Sequence, residues 1–464
     1  MPAAMTLRCL FVDFNSYFAS VEQQENPALR GRPVGVVPVE ADSTCCIAAS
    51  VEAKRHGVGT GTLARDARRL CPGIELVLAR PALYVAWHHR LLAAIDRVIP
   101  LGVIGSIDEV ACELTGSQRR RDRAEALARA VKAEIRRETD DGAIRCSIGI
   151  APNALLAKTA SDMQKPDGLV VIEQADLPQA LHALELRDLC GIGAAMEARL
   201  HAHGIRTMAQ LAAAGKLALR RAWGSIEGER MWAQLRGEWL PPRASERGSV
   251  GHSHVLPPEL RTPQGAQAVA KKLLVKAAQR LRGYGLLAGA LALRVRLLGT
   301  DARLEADLEF DPTDDSRTLL HMLARMFDAR ALPRRARPLS VSVTLHRVVE
   351  RAHSSRSLFD DGRAGDALNA VLDRINRRYG HNTLYFGGMH AALDAAPMRI
   401  PFSRIPEVDV ERDADHELWL KRANQARVLA EGEHRRAASP PRAGTRRDGG
   451  DAKLPRSGSG EDRA

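Results

Sequence analysis

The alternation of apolar and polar positions divides the chain into strand-like and helix-like segments. "LRCLFVDF" (7–14) is a short apolar run ending in an acid, the pattern of a buried strand. "SYFASVEQQ" (16–24) predicts a helix start, and "LYVAWHHRLLAAIDRVI" (83–99) a long helix. "VIGSIDEVACEL" (103–114) is strand-like. In "RAEALARAVKAEIRRE" (123–138), Leu127, Val131 and Ile135 recur at i, i+4 spacing, which predicts an amphipathic helix. "IRCSIGIA" (144–151) predicts another strand, with a helix continuing through Lys158. Interleaved in this way, the elements make an α/β sheet domain with segments inserted between its parts.

The second half is organised differently. "LRDLCGIGAAMEARLHAHGIRTMAQLAAAG" (186–215) sets Gly191 and Gly193 in a G-x-G turn between helical stretches, and a second helical pair follows Gly204. This is a helix-hairpin-helix pattern. Glycine lets the backbone come close, and N–H groups at a helix start face an anion, so the turn suits a phosphate. The same spelling also serves as a plain tight connector. "LPPRASERGSV" (240–250) reads as a linker. Beyond it come a strand in "SVGHSHVLP", a helix over 263–282, a hairpin of 288–299 with 301–310, a helix over 315–329 and a strand over 337–350. That order, β-α-β-β-α-β, is a separate small domain. Arg294 and Arg296 alternate with Leu293, Val295 and Leu297, which predicts one basic sheet face and one buried face. A cationic stripe fits a nucleic-acid backbone or a merely solvated surface. Residues 366–379 predict a short helix, and from about 437 the Gly, Pro, Ser and charge content predicts a disordered tail.

Composition narrows the class only a little. The 464 residues are 45% hydrophobic, 27% charged and 4% aromatic, ordinary for a globular protein of two to four domains. The net charge of +12 suits a nucleic-acid partner, and equally the arginine excess of a GC-rich genome. The seven cysteines (Cys9, Cys45, Cys46, Cys71, Cys112, Cys146, Cys190) are odd in number and form no C-x-x-C, so neither a disulfide framework nor a zinc site is signalled. No apolar run is long enough for a signal peptide or a membrane span, and a cytoplasmic location is expected.

The acids change the picture. Asp13 ends the first strand, and Asp108 and Glu109 lie in a later strand-like run. If those strands are neighbours, three carboxylates converge at one sheet edge and repel each other unless cations sit among them. Hard oxygen ligands suit Mg²⁺, and two such ions can activate a hydroxyl and stabilise a leaving phosphate.

Four stretches together carry a resemblance: "FVDFNSYFASVE" (11–22), "GSIDEV" (105–110), "SIGIAPNALLAKTASDMQKPDG" (147–168) and "LCGIG" (189–193). In this order they resemble the Y-family translesion DNA polymerases, and the match runs from residue 7 to about 350. "SLFDDGRAGDALNAVLDRINRRYGHNTLYFGGM" (357–389) and "PMRIPFSRIPE" (397–407) are similar to the C-terminal part of the UmuC type, the catalytic subunit of DNA polymerase V, with DinB-type enzymes as further relatives.

The resemblance implies a multidomain α/β (α+β) right hand. The ferredoxin-like palm would be 1–16 and 80–172, the small fingers 17–79 and the helical thumb with its hairpin 173–242. The βαββαβ little finger would be 247–350, followed by a UmuC-like region at 351–436 and the tail at 437–464. By motif match, Asp13, Asp108 and Glu109 are catalytic and bind two Mg²⁺, with the backbone carbonyl of Phe14 as a further ligand. Phe18 would occupy the steric-gate position against a 2′-OH, Lys54 and Lys165 would contact the triphosphate, and Arg55 would partly substitute there if the loop shifts. Gly191, Gly193, Ser249, Arg294 and Arg296 would bind DNA on this resemblance. The implied partners are primer–template DNA, dNTPs, a sliding clamp through the weak motif at Leu358 and Phe359, and a UmuD-like accessory subunit. The implied activity is error-prone synthesis in the SOS response.

The chain also departs from the pattern. Val51 stands where the family usually has Tyr and Lys54 where it has Arg, so the cradle for the β- and γ-phosphates is thinned. Ala48 replaces a usual hydroxyl, Asn15 a common Asp, and Ser355 the Gln of the clamp motif. These departures keep a second reading open: a polymerase-like scaffold that binds primer–template and recruits partners. A third, a nuclease or other metal-dependent phosphotransferase, fits the acids but not the thumb and little-finger patterns.

Overall fold

Strand β1 (Cys9–Phe14) sorts its side chains by parity. Leu10, Val12 and Phe14 enter one core, while Cys9 and Phe11 enter another on the opposite face. Asp13, two residues past Phe11, shares that second face. In this computed structural model, which describes residues 6–241, 247–300, 302–329, 332–354, 363–380, 382–395 and 400, β1 leads into helix α1 (Tyr17–Glu25). A small three-stranded sheet follows, of order β3-β2-β4. It is built from β2 (Val34–Val37), β3 (Ala48–Ala49) and β4 (Glu75–Leu78), with α2 (Val51–Arg55) and α3 (Ala64–Leu70) between the last two.

Helix α4 (Pro81–Asp96) returns the chain to the main sheet. Here the run 103–114, expected as one strand, is a hairpin of β5 (Val103–Ser106) and β6 (Glu109–Glu113). Ile107 and Asp108 form its two-residue turn. The reason is local: aspartate is disfavoured within strands and favoured in turns, and the pairing slips at Gly105 between Ile104 and Ser106. With α5 (Arg121–Glu138), β7 (Cys146–Ala151), α6 (Ala154–Met163) and β8 (Leu169–Val171), the five strands run in the order β5-β6-β1-β7-β8. Helices α4 and α5 cover the Leu10 face. The buried stripe of α5 is Ala124, Ala128, Val131 and Ile135; Leu127 lies at its edge and is only partly buried.

Helix α6 covers the other face, and closely. A Cβ built on Gly149 of β7 would lie 1.9 Å from the Ala157 carbonyl oxygen, so only glycine lets the helix sit there. The same core takes in α7 (Ala194–Ala202), α8 (Met208–Ala213), α9 (Lys216–Trp223) and α10 (Glu227–Gln234), through Leu200, Met208, Leu211, Leu219 and Met231.

A third sheet has the expected β-α-β-β-α-β order. Strands β9 (Ser249–Val255), β10 (Leu286–Leu297), β11 (Arg303–Thr313) and β12 (Pro338–Glu350) are arranged β11-β10-β12-β9. Helices α11 (Pro263–Gly283) and α12 (Ser316–Ala329) bury its inner face. Leu293 and Val295 are buried and Arg294 and Arg296 exposed, as alternation predicts. The outer face is not uniformly basic, however. The register sets Arg294 opposite Glu305 on β11, where Asp307 and Glu309 follow on the same side, and Arg294 Nε lies 2.7 Å from Glu305 Oε1. Arg294 is therefore paired across the strands, while Arg296 faces Arg303, so acids interrupt the basic stripe at one of its two arginines.

The helix expected at 366–379 is α13 (Arg363–Tyr379). It is pinned by polar contacts: Asp373 accepts two hydrogen bonds from Arg282, at 2.7 and 2.8 Å, and Asn369 donates to Asp315. The fully buried Lys272 of α11 donates to the carbonyls of Leu393 and Ala395. Leu358, Phe359 and the tail at 437–464 lie outside the described residues. Among the described residues no helix is long and apolar enough to cross a membrane.

Gly149→Ala is expected to destabilise the protein by on the order of 2 kcal/mol, because a backbone carbonyl cannot retreat as a side chain would. Thermal unfolding checks this. An unchanged midpoint would mean that α6 can shift away from β7.

Candidate active site

Antiparallel pairing of β1 with β6 sets Asp13 directly opposite Glu109. Residues so paired share a face, so both carboxylates lie on the α6 side of the sheet. Asp108 sits one residue earlier, on the hairpin turn rather than within a strand. Its carbonyl accepts from the Phe14 amide at 2.9 Å, which ties the turn to the end of β1, and its carboxylate accepts from the Ser106 hydroxyl. The three acids expected to meet do come to one edge.

They do not form a ready cage. Among the described residues no three ligating side chains are gathered tightly enough to hold an ion as they stand. The reason is that each acid has taken its own partner. Lys165 Nζ lies 2.7 Å from Asp13 and 2.7 Å from Asp162, and Lys158 is ion-paired with Glu109. Burial pushes the Asp13 carboxyl up to about 6; Lys165 pulls it down, and Asp108 and Asp162 push it up again. Burial alone would lower both lysines, but their carboxylate partners carry each above its ordinary value. The oxygen-only donor set of Asp13, Asp108, Glu109 and the Phe14 carbonyl is of the hard type that suits Mg²⁺.

Lys158 was missed by sequence reasoning. Lys158 lies on α6 and Lys165 on the turn beyond its end at Met163, so no helical spacing links the two in the sequence. The turn bearing Lys165 is itself fastened. Lys132 donates to the Cys146 carbonyl at 2.6 Å and to the Asp167 carboxylate at 2.6 Å. Asn15 accepts from the Asp167 amide at 2.8 Å and donates to Ser147 at 3.0 Å. The residue that departs from the common Asp thus holds the loop of a candidate phosphate ligand.

Phe18, on α1, stacks on Tyr84 with ring centroids 4.5 Å apart. Tyr84 is fixed in turn: its hydroxyl donates to buried Glu22 at 2.7 Å, and Arg80 pairs with the same carboxylate. Lys54 of α2 is exposed, yet it senses the cluster. Partial burial and then the charge of Lys165 lower its pKa, against Asp13 and Asp108, which raise it. Arg55 is exposed at the last position of α2, and Val51, at the first, is half-buried.

The remaining candidates lie elsewhere. Gly191 has φ +92°, a conformation that requires glycine, and Gly193 caps the start of α7. A side chain at either would meet nothing within 4 Å, so this turn faces open space. Ser249 starts β9 on the exposed face of the four-stranded sheet, with Arg294 and Arg296 on β10.

This architecture and site have known counterparts. Residues 12–162 match the impB/mucB/samB family, and 247–358 match that family's C-terminal domain. The DNA polymerase IV of Moorella thermoacetica is 34% identical over 391 residues, covering 81% of this chain and 94% of that protein. That of Pelotomaculum thermopropionicum is 30% identical, covering 82% and 94%. The chain belongs to the Y family of DNA polymerases. A Y-family polymerase chimera of Dbh and Dpo4 shares the fold, at a TM-score of 0.62 and 23% identity over 74% of this chain and 99% of that one. This Y-family member is a DNA-directed DNA polymerase of the translesion class. These relatives carry the DNA polymerase IV name, so the narrower UmuC-type kinship expected from 357–389 and 397–407 is not supported.

The raised Asp13 carboxyl yields a prediction about stability. Its folded value, about 6, lies above the ordinary carboxylate value of 3.8, so its contribution is favourable below the lower value and is lost as pH rises through the higher. Asp13→Asn removes that loss. In metal-free buffer at pH 8 the variant should be more stable than the wild type, by on the order of 3 kcal/mol at most, and the difference should fade as pH falls from 7 to 4. Denaturant melts at several pH values check this. A variant less stable at pH 8 would show that the Lys165 pair outweighs the burial.

Proposed function

We propose that the cluster of Asp13, Asp108 and Glu109 performs template-directed nucleotidyl transfer, in which a primer 3′-hydroxyl attacks the α-phosphate of a dNTP and pyrophosphate leaves. The observation that carries this reading is the pairing of Asp13 with Glu109 at the ends of two interior strands, each acid neutralised by its own lysine. Asp13, Asp108, Glu109 and the Phe14 carbonyl would hold two Mg²⁺. Bound there, the ions supply the charge that activates the attacking hydroxyl and stabilises the leaving phosphate.

The chain's own residues do the rest. Lys165, released from Asp13, is a compact cation with a phosphate as its next best partner, and Lys54 and Arg55 add positive charge on the fingers side. The Phe18 ring, backed by Tyr84, gives a flat floor under the sugar that a 2′-hydroxyl would strike. The hairpin at Gly191 and Gly193 offers backbone amides to DNA phosphates, and Ser249, Arg294 and Arg296 a second contact. Palm, fingers, thumb and little finger correspond to 1–16 with 80–172, 17–79, 173–242 and 247–350 in this reading. Error-prone synthesis in the SOS response belongs to the same proposal. So does a weak sliding-clamp contact through Leu358 and Phe359. A UmuD-like subunit followed only from UmuC-type kinship and is not proposed.

With polymerase identity in hand, Val51 and Lys54 are read as weakening dNTP capture rather than as marks of a scaffold. Val51 cannot hydrogen-bond, and a lysine lacks the two-pronged donor of arginine. Primer extension with Mg²⁺ and dNTPs tests both levels. Asp108→Ala/Glu109→Ala should abolish extension while leaving primer–template binding intact; extension by that variant would remove the acids from the mechanism. Val51→Tyr with Lys54→Arg should lower the dNTP KM about tenfold at similar kcat. An unchanged KM would mean that other groups already supply those contacts.

A further inference from the structure

We infer that His88 is a positioning residue for the polymerase reaction, holding the turn that presents Asp108. The inference rests on the reading of Asp108 as a metal ligand. His88 lies on α4, is 1% exposed, and its Nδ1 is 2.7 Å from the Ile107 carbonyl oxygen. A carbonyl only accepts, so Nδ1 carries the hydrogen. Nε2 is then a bare acceptor, and it is buried with no hydrogen-bond partner among the described residues. A core position that needed only volume would be better filled by a leucine, which leaves no polar atom stranded. The histidine is explained by the bond it makes.

What that bond fixes is specific. The Ile107 carbonyl belongs to the peptide that enters Asp108, and the Asp108 carbonyl to the peptide that leaves it. His88 holds the first and the Phe14 amide, at 2.9 Å, holds the second. With both flanking peptide planes anchored, the direction of the Asp108 side chain is set from outside the hairpin. The turn needs such support. Two-residue hairpin turns that support themselves use positive φ, and neither Ile107 nor Asp108 has it. The pairing of β5 with β6 also slips at Gly105, just before the turn. Burial pushes the His88 pKa down, in keeping with a neutral donor.

The test compares His88→Asn with His88→Leu in the full chain. The two replacements share the same side-chain skeleton, branched at Cγ, but the asparagine amide nitrogen stands where Nδ1 stood and can donate to Ile107. Binding of Mn²⁺ is followed by electron paramagnetic resonance with primer–template and a non-hydrolysable dNTP. Kinetic constants are measured alongside. His88→Leu should weaken Mn²⁺ binding and lower kcat by about 10- to 100-fold, the range for loss of a residue that orients a metal ligand. The dNTP KM at saturating metal should stay within about twofold, since no substrate contact is touched. His88→Asn should stay within about threefold of the wild type throughout. If the leucine variant does not fold, His88→Gln replaces it, because its amide reaches past Ile107 and should fail as leucine does. Equal behaviour of the donor and non-donor variants would overturn the inference, as would unchanged Mn²⁺ affinity in His88→Leu. Asp108→Asn separates the two levels. Should it still extend primers, the metal-ligand reading fails and takes the His88 inference with it. Should it be inactive while the His88 variants match, only the His88 inference fails.

Discussion

The register between β1 and β6 is the constraint on which the rest depends. It sets Asp13 against Glu109 and brings the Phe14 amide to the Asp108 carbonyl. A slip of one residue would turn Asp13 into the core that holds Leu10, Val12 and Phe14, where a carboxylate has no partner. The alternation of that strand, apolar on one face and Cys-Phe-Asp on the other, therefore specifies the fold and the site at once. Gly149 completes the arrangement by letting α6 lie close enough for Lys158 to reach Glu109.

The site is balanced rather than comfortable. Asp13 is buried enough that its carboxyl resists ionisation, and two lysines offset the charge of the acids. Such clusters lower stability where chemistry needs them. Lys165 and Lys158 are well suited to the task because a lysine is a mobile point charge, able to leave a carboxylate when a better-matched cation arrives and to turn toward phosphate. The loop that carries Lys165 is not equally free, since Lys132 and Asn15 fasten Asp167 two residues on. The ammonium can move while its base stays in place.

Much of this was legible in the sequence, for reasons that differ by element. Strand β1 follows from its continuous apolar run, because both its faces are buried, and helix α5 and the elements from β9 to β12 follow from period-3.6 and period-two patterns, because each has one more deeply buried face. The acids and Phe18 were legible because their motifs are contiguous. The Ile107–Asp108 turn was not, since its apolar flanks imitate a continuous strand. Nor was the pairing of Arg294 with Glu305, which is set by cross-strand register rather than by either strand alone. Lys158 reads as an ordinary helix lysine, and only the fold pairs it with Glu109. His88 carried no signal at all: it reads as one more residue of a long helix, and only the fold shows that its ring faces the Ile107 carbonyl.

The most direct measurement is diffraction at the manganese edge from crystals of the protein with primer–template, a non-hydrolysable dNTP and Mn²⁺. Two anomalous peaks bound by Asp13, Asp108, Glu109 and the Phe14 carbonyl are expected, with Lys165 off Asp13 and against phosphate. Peaks held by other residues, or Asp13 still paired with Lys165 in the presence of metal and nucleotide, would contradict the assignment of these acids as the centre of the reaction.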